Sequence, residues 1–467
     1  MVEAGQRRSL RSLMCVAAVL ALGGCDVAPV FQSPNFPFAS SFSAKSSGAP
    51  VLLENAAWWT KFNDPVLNAL IDEALSDNLD LALSRERVTE AQALARTVPP
   101  PVAITGTLRV GREGDRNGPD ANGGDADLGF DWLLDPWGER AAQLRAGQGR
   151  IDVADAELDA AQLLLLSNVA SAYVDLRYQQ RSLQLRRQEL GSRRSTLDLI
   201  RKLQTGNAAT RLDVVRAEAL VSETQSLIPG IEAAVRVQQN RIAVLLGDTP
   251  GRPDQSLISS GRGQPLAAMP SDIGIPADLL RNRPDIQIAE RLYYVAVAET
   301  GAATAQLYPT LSVSGVINLS SFGGVEGMEY FFGPTLRLPA LPDSARRAEV
   351  EAQQSRVRQA LTSWQSAVLA AIEEVESALV EYSGSQTSVS SARRTVRLYR
   401  ESVDLTRQLI GQDGATIRDL LDAEQSVASA NFLLSQNLRT LGQTFVALNV
   451  SLGSGNSFRK EPAAAKG

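Results

Sequence analysis

The side chain most often found where proteins do chemistry is missing from this sequence, because its 467 residues include no histidine. Histidine is the side chain most used for general acid–base catalysis and for binding transition metals. The sequence also has no phosphate-binding loop, no cluster with metal-ligand spacing and no nucleophile motif. It therefore predicts a protein that is not an enzyme and that uses no metal or other cofactor.

One cysteine has a recognisable role. It follows three arginines within the first eleven residues and an apolar stretch from Leu13 to Leu22. That pattern is typical of a secretory signal and is too short to span a membrane. The stretch ends Leu22-Gly23-Gly24-Cys25, which resembles the lipobox of bacterial lipoproteins. We expect residues 1–24 to be removed and a lipid to be attached to Cys25; the alternative is an ordinary cleavage site before a cysteine.

The residue after this cysteine does not determine which membrane holds the lipid anchor, because Asp26 is compatible with an anchor in either membrane of the envelope. Removal of the signal also removes Cys15, so no intramolecular disulfide is expected. It leaves 43 basic and 51 acidic residues, a net charge of −8 against −6 for the whole chain. An acidic chain without a basic tail is not expected to bind nucleic acid.

The chain repeats itself once, at an offset of 206 residues without a gap. A register kept over roughly 80 residues indicates an internal duplication rather than chance matches. Matching positions in the two copies include Pro136 with Pro342, Val169 with Val375, Ala172 with Ala378, Leu203 with Leu409, Asp213 with Asp419, and Glu218 with Glu424.

Each copy contains a very long helical pattern. No proline occurs between Glu139 and Gln204, and some 66 helical residues would reach roughly 100 Å. Apolar residues recur every seven positions, which keeps one face of the helix apolar. The recurring residues are Val169, Leu176, Leu183, Leu190 and Leu197, then Val375, Tyr382, Val389, Val396 and Val403. Gly384 and the serines around it are expected to weaken the second helix locally.

Each long helix is followed by a short polar turn and a returning helix. The turns are residues 205–207 and 411–414, and the returning patterns run from about Thr210 to Leu246 and from Thr416 to Leu452. This predicts two antiparallel helical hairpins with their tips at the same end. A plain coiled-coil spacer is the alternative.

Before each hairpin lies a segment with strand periodicity. Apolar and polar residues alternate from Val102 to Val110 and around Leu128 to Trp132, with a Gly/Asp/Asn loop predicted over residues 111–125. The second copy alternates over residues 310–338. Each run has the length of a tilted membrane-spanning strand. Because four strands cannot close a barrel and open edges are not tolerated in lipid, several copies must share one barrel. A soluble hairpin with one wet face is the alternative.

Together these features resemble the TolC-type outer-membrane efflux proteins, in particular the lipoprotein branch that serves resistance-nodulation-division pumps. The most specific stretches are Trp58–Leu67, Leu280–Ile286 and Leu307–Leu311. The resemblance implies a mixed, mainly α fold and a homotrimer, in which four strands per chain complete a twelve-stranded barrel above a periplasmic α-barrel. It also implies a periplasmic adaptor protein and an inner-membrane pump as partners, and outer-membrane lipid around the barrel.

The resemblance also assigns candidate working residues. Asp419 and Asp422 match a family segment at the periplasmic entrance, where each would form a ring of three carboxylates that favours cations. Asp213 matches a latch residue whose usual partners are replaced by Ile410 and Ala415; Arg418 or Arg216 is a candidate substitute. The predicted adaptor-docking tips are Gly206, Asn207, Gln412, Asp413 and Gly414. Solvated helix faces and plain helical turns are the alternatives.

The expected organisation follows from the duplication. A signal (1–24) and a lipid-anchored segment (25–57) precede the first repeat (58–248), with its strand pair at 102–133 and its hairpin at 139–246. A linker (249–275) leads to the second repeat (276–453), with strands at 310–338 and a hairpin at 344–452, and to a tail (454–467). The predicted function is passive exit of small molecules through the outer membrane. A type I protein secretion channel and a lipid-anchored scaffold without a pore are the alternatives.

Overall fold

The structure is a computed structural model that describes residues 27–37, 57–114, 121–251, 263–267, 282–322, 325–410 and 414–455. Cys25, Gln412 and Asp413 lie outside the described residues, as do the expected signal and most of the linker and tail. Contacts divide the chain into two compact units.

The first unit comprises the N-terminal residues up to Phe36 together with Glu86–Ala156 and Gln287–Ala367. Its four strands are β1 (Val102–Glu113), β2 (Ala121–Leu134), β3 (Thr310–Phe322) and β4 (Val325–Arg337). They form one antiparallel sheet in the order β1-β2-β3-β4. The strand pairs of the two repeats are therefore joined edge to edge by β2 and β3.

The register of the sheet places the apolar residues on one face. Thr107 pairs with Asp127, Asp127 with Asn318, and Asn318 with Glu329, so one polar row crosses all four strands. Because side chains alternate between faces, the apolar residues one position away share the opposite face. Several of these are between 72 and 82% exposed within this chain, namely Ile104, Leu108, Val110, Tyr330 and Phe332.

The loop predicted over residues 111–125 is wrong in its bounds. β1 continues to Glu113 and β2 begins at Ala121, with Gly111 paired to Gly123. Gly124 pairs with Val110 on one side and Ser321 on the other. Hydrogen bonds from two neighbouring strands thus override a composition that is typical of turns, because strand preference depends on partners more than on the residue itself.

Along the sequence, helices precede and follow these strands. A 3₁₀ helix (Trp58–Phe62) precedes α1 (Pro65–Asp77) and α2 (Leu79–Ala95). The remaining helices are α3 (Glu139–Thr205), α4 (Arg211–Leu245), α5 (Pro284–Ala305), α6 (Ser344–Ile410) and α7 (Ile417–Ser451). No helix within the described ranges is both long and apolar enough to cross a membrane.

The second unit comprises Pro37–Arg85, Glu157–Ile286 and Val368–Gly467, and contains both hairpins from residue 157 and residue 368 onward. The residues of the seven-residue repeat are buried on α3 and α6, except Leu183, which is half-buried. The expected weakening at Gly384 is absent, since α6 is continuous from Ser344 to Ile410. Packing of Tyr382 and Val389 on either side stabilises the helix there, because tertiary packing outweighs local propensity.

The first of the specific sequence stretches builds the core of the second unit. Trp58 and Phe62 are buried, and the Phe62 ring packs against Phe445 with a centroid distance of 5.0 Å. Asp64 caps α1 and accepts a hydrogen bond of 2.6 Å from the Tyr173 hydroxyl. Burial, together with this bond to Asp64, raises the pKa of Tyr173. These motif residues therefore hold the fold together.

Candidate functional site

Each of the two hairpin tips contains an equivalent backbone hydrogen bond. In the first tip the Ala208 N–H donates to the Leu203 carbonyl over 2.8 Å, and in the second the Gly414 N–H donates to the Leu409 carbonyl over 3.0 Å. These residues are equivalent at the offset of 206. Asn207 follows the first long helix with φ of 61°, a left-handed conformation that asparagine tolerates better than most residues. Both turns satisfy the final carbonyls of a long helix.

Each returning helix begins with the same capping box. The Thr210 hydroxyl accepts from the Asp213 N–H over 3.2 Å, while the Asp213 carboxylate accepts from the Thr210 N–H over 3.0 Å. Thr416 and Asp419 repeat this arrangement with distances of 3.2 and 2.8 Å. The Thr-x-x-Asp spacing is a sequence signal for such caps, and it was missed in both copies. Asp213 and Asp419 therefore stabilise helix starts, whatever else they do.

Hydrogen bonds lower the pKa of both capping carboxyls. The threonine hydroxyl is the main cause in each case, followed by the backbone N–H of the same threonine. Arg216 near Asp213 and Arg418 near Asp419 lower the pKa further through their charge. Both aspartates are therefore anionic at neutral pH.

The second acidic candidate has a looser partner. The Arg418 Nε lies 3.8 Å from the Asp422 carboxylate one helical turn away, and both side chains are about three-quarters exposed. Such an exposed pair contributes little to stability. Among the residues that the structure describes, this exposed pair is the ionic contact of the Asp422 side chain.

An ion pair is duplicated just inside the tips, and the sequence reading missed it. Arg201 on α3 lies 2.9 Å from Glu218 on α4, and its equivalent Arg407 on α6 lies 2.9 Å from Glu424 on α7. The Glu218 side chain is 37% exposed, whereas that of Glu424 is 7% exposed. Glu424 also accepts a 3.0 Å hydrogen bond from the Thr196 hydroxyl of α3. The sequence repeat matches Glu218 with Glu424. It also matches Arg201 with Arg407, and this second match was the overlooked signal for the ion pairs.

An apolar cluster lies beside these polar contacts. Leu197 and Ile200 of α3 pack with Val214 and Ala217 of α4 and with Leu421 of α7. The second hairpin is thereby in contact with the first near the predicted entrance. Across the described ranges, no three acidic or cysteine side chains come close enough together to hold a metal ion.

Comparison with known proteins gives one family match for each copy of the internal repeat. The family model described as outer membrane efflux protein matches residues 70–248 and again residues 275–454. Nodulation protein T of Rhizobium leguminosarum bv. trifolii is 34% identical over 450 residues, which cover 93% of this chain and 96% of the relative. The cation efflux system protein CusC of Escherichia coli O6:H1 is 27% identical, with coverage of 94% and 97%.

Among solved structures, the outer-membrane channel OprN superposes with a TM-score of 0.83 at 28% identity. The match covers 92% of this chain and 99% of OprN. Similarity therefore extends over nearly the whole length of each protein and includes both units.

Proposed function

This chain belongs to the outer membrane efflux protein family, and we propose that it is the outer-membrane duct of a tripartite efflux pump. Small molecules would pass through it from an inner-membrane pump and a periplasmic adaptor to the exterior. The family and the solved relative are channel proteins rather than enzymes. Membership in an efflux family makes the scaffold without a pore the wrong alternative.

The observation that carries the proposal is the sheet of the first unit. Its apolar face is largely exposed within one chain, and β1 and β4 each have one edge without a strand partner among the described residues. In lipid both features would be costly unless other copies complete the sheet. Three copies would supply twelve strands, enough for a lumen, whereas two would supply eight, whose side chains would fill the interior.

The gate is assigned to the start of α7. Asp422 is exposed and only weakly paired, and Asp419 lies within one helical turn of it. In a trimer each would form a ring of three carboxylates that attracts cations. Asp213 and Arg418 belong to the same entrance in this proposal, Asp213 through its cap and Arg418 through its pairing with Asp422.

The hairpin tips are assigned to the adaptor. Gly206, Asn207 and Gly414 are exposed, and Gln412 and Asp413 directly precede Gly414 in the sequence. The pump partner would be of the resistance-nodulation-division type, as the sequence resemblance implies. Cys25 would carry the lipid, and since the shared barrel itself inserts in the membrane, an exported Cys25→Ala variant should retain some function.

Single-channel recording in planar bilayers tests the duct and its gate. The purified protein should conduct with a cation preference, and Asp422→Asn should weaken that preference. Asp419→Asn removes a charge and also a helix cap, so Thr416→Val serves as its control because it disturbs the cap and keeps the carboxylate. Absence of conductance together with a monomeric mass would refute the channel. A preference unchanged in both aspartate variants would refute the gate assignment.

The docking tip is tested by replacing Gly414 with a bulky residue. A Cβ added at Gly414 would lie 3.2 Å from the end of the Leu409 side chain, its nearest neighbour, and that side chain can move. Gly414→Leu should therefore leave the folded protein intact in the outer membrane and reduce drug efflux. Unchanged drug tolerance at normal protein levels would contradict the assignment.

A further inference from the structure

A cavity of about 340 Å³ lies where α3, α6 and α7 meet, inside the second unit. This volume is within the range of small-molecule sites in proteins. All three helices contribute apolar side chains to its wall, namely Leu185 of α3, Val403 of α6, and Val427, Ala428 and Phe432 of α7. An apolar wall with a few polar groups is the usual composition of a ligand site.

The wall also contains an arginine that is almost completely buried. The Arg193 side chain of α3 is 4% exposed. Its Nε donates to Glu189 over 3.1 Å and its Nη2 bonds to Gln425. Its Nη1 is buried and has no hydrogen-bond partner among the described residues. Buried polar groups in proteins are almost always paired, so this nitrogen indicates an acceptor that the chain itself does not supply.

The two buried acids of the wall are already paired. The Glu189 side chain is 8% exposed and lies 2.7 Å from Arg186 in addition to its bond with Arg193. The Glu424 side chain is 7% exposed and lies 2.9 Å from Arg407. Each of these carboxylates thus has a cationic partner of its own, and neither supplies the acceptor that Nη1 lacks.

A second arginine of the same wall has a neutral partner. Arg400 of α6 donates to the Asn431 amide oxygen of α7 over 3.1 Å. Asp404, one helical turn further along α6, is exposed, so water and salt screen its charge. Arg400 therefore adds positive charge to the cavity that already contains the incompletely paired Arg193.

The internal duplication shows that a long helix of this kind forms without the buried arginine. Arg193 corresponds to Tyr399 at the offset of 206 residues, and α6 is continuous through Tyr399. A buried charge is costly unless it is fully paired. An arginine that the helix does not need, and that the chain does not fully pair, is better explained by binding than by folding.

We propose that this cavity binds a small organic anion, with its carboxylate at Arg193 and Arg400 and its apolar body against Leu185, Val403 and Phe432. The carboxylate provides an acceptor for Arg193 and a negative charge for Arg400, and charged hydrogen bonds of this kind are strong. The apolar body removes the apolar wall from water. The site lies within one chain and its occupation requires no transport, so the inference does not rest on the proposed channel function.

Titration calorimetry with three matched probes tests the chemistry of the site. The probes 4-phenylbutyrate, its neutral amide and 4-phenylbutylamine share one apolar body and differ in charge. Each is titrated into the full-length protein in an uncharged detergent. The acid should bind, the amide should bind about tenfold more weakly and the amine should not bind measurably, because only the acid offers a charged acceptor to arginine. No binding of the acid, or equal binding of acid and amide, would overturn the proposal.

Variants of the wall test the location of the site. Arg193→Gln should weaken binding of 4-phenylbutyrate about tenfold, and Asp404→Asn should strengthen it about twofold because it removes an exposed like charge. Ala428→Leu fills the apolar part of the cavity and should abolish binding while every charge is kept. Arg187→Gln on the same helix is the matched control, since Arg187 is 60% exposed and pairs with Glu232 outside the cavity.

Circular dichroism and size-exclusion chromatography show which variants fold as the native protein does. Ala428→Leu leaves Arg193 and its hydrogen bonds in place, so it decides the location even when Arg193→Gln does not fold. Native affinity in Ala428→Leu, or in folded Arg193→Gln, would overturn the assignment to this cavity. A loss in Arg187→Gln equal to that in Arg193→Gln would overturn it too, because binding would then follow the overall charge of the chain.

Discussion

The ion pair that ties each returning helix to its long helix has a half-exposed arginine in both hairpins, but its glutamate is 37% exposed in the first hairpin and 7% exposed in the second. Arg201 with Glu218 and Arg407 with Glu424 have the same separation, 2.9 Å, and the same place in the repeat. The difference lies in what packs outside the pair. Thr196 and Ser192 of α3 cover Glu424, whereas nothing described in the chain covers Glu218 in the same way. One local design therefore acquires two energetic roles from its surroundings.

The hairpin tips differ less, because their stability is local. Both returning helices start with a threonine–aspartate capping box, and both long helices end with the same turn hydrogen bond. Burial contributes little to the stability of these contacts. Variants at equivalent positions should consequently have unequal effects inside the hairpins and equal effects at the tips.

The largest inequality is expected at the two glutamates. Glu424→Ala removes the bonds from Arg407 and from the buried Thr196 hydroxyl, and should lower the free energy of unfolding by about 3 kcal/mol. Glu218→Ala removes an exposed pair and should cost roughly 0.5 kcal/mol. Thermal unfolding followed by circular dichroism would measure both. Equal losses would mean that burial does not separate the two hairpins.

A smaller inequality is expected at Asp175 and its counterpart Glu381. Asp175 of α3 accepts from Arg439 over 2.6 Å and from Gln443 over 2.7 Å, and Gln443 also donates to the Ser171 carbonyl. Asp175→Ala therefore removes the acceptor of Arg439 and one of the two acceptors of Gln443, and should destabilise by about 2 kcal/mol. Glu381 is exposed, so Glu381→Ala should change stability by no more than about 0.5 kcal/mol. Denaturant midpoints of the two variants provide the measurement. A costly Glu381→Ala would indicate that Glu381 is held as firmly as Asp175, so that burial does not separate the two positions.

Equal effects are expected at the caps. Thr210→Ala and Thr416→Ala each remove one capping hydroxyl and should each cost about 1 kcal/mol. Thr→Ser at the same positions keeps the hydroxyl and is the matched control. A marked difference between the two alanine variants in thermal unfolding would show that the tips, too, depend on their surroundings.

The smallest effect concerns pH. The pKa values of Asp213 and Asp419 lie below the ordinary 3.8 in the folded protein because threonine donates to each carboxylate. The folded state therefore binds these protons less readily than the unfolded state. Their contribution to stability is present above the ordinary pKa and is lost as pH falls through the lowered one. Carboxyl NMR titration should show both low values, and Thr210→Val and Thr416→Val should raise the corresponding one.

The motif stretches show how far a family resemblance reaches toward physical roles. The segment from Trp58 to Leu67 is specific to the family, and the structure uses it for a buried aromatic core and for the Asp64 cap of α1. In contrast, Glu424 lies outside the family-specific stretches and stands out in the sequence only as the repeat match of Glu218, although it joins three helices. The specific sequence stretches identified the protein family, whereas the structural importance of Glu424 became visible only from its buried contacts.

The sequence by itself determined the features that depend on neighbours along the chain. Seven-residue periodicity predicted the long helices, alternation predicted the strands, and the offset of 206 residues predicted that each would occur twice. The bounds of β2, the continuity of α6 at Gly384 and the unequal burial of Glu218 and Glu424 were decided only by the tertiary structure. Each of these depends on side chains or strands that are distant in the sequence, because partner strands, packing and burial are properties of the assembled fold.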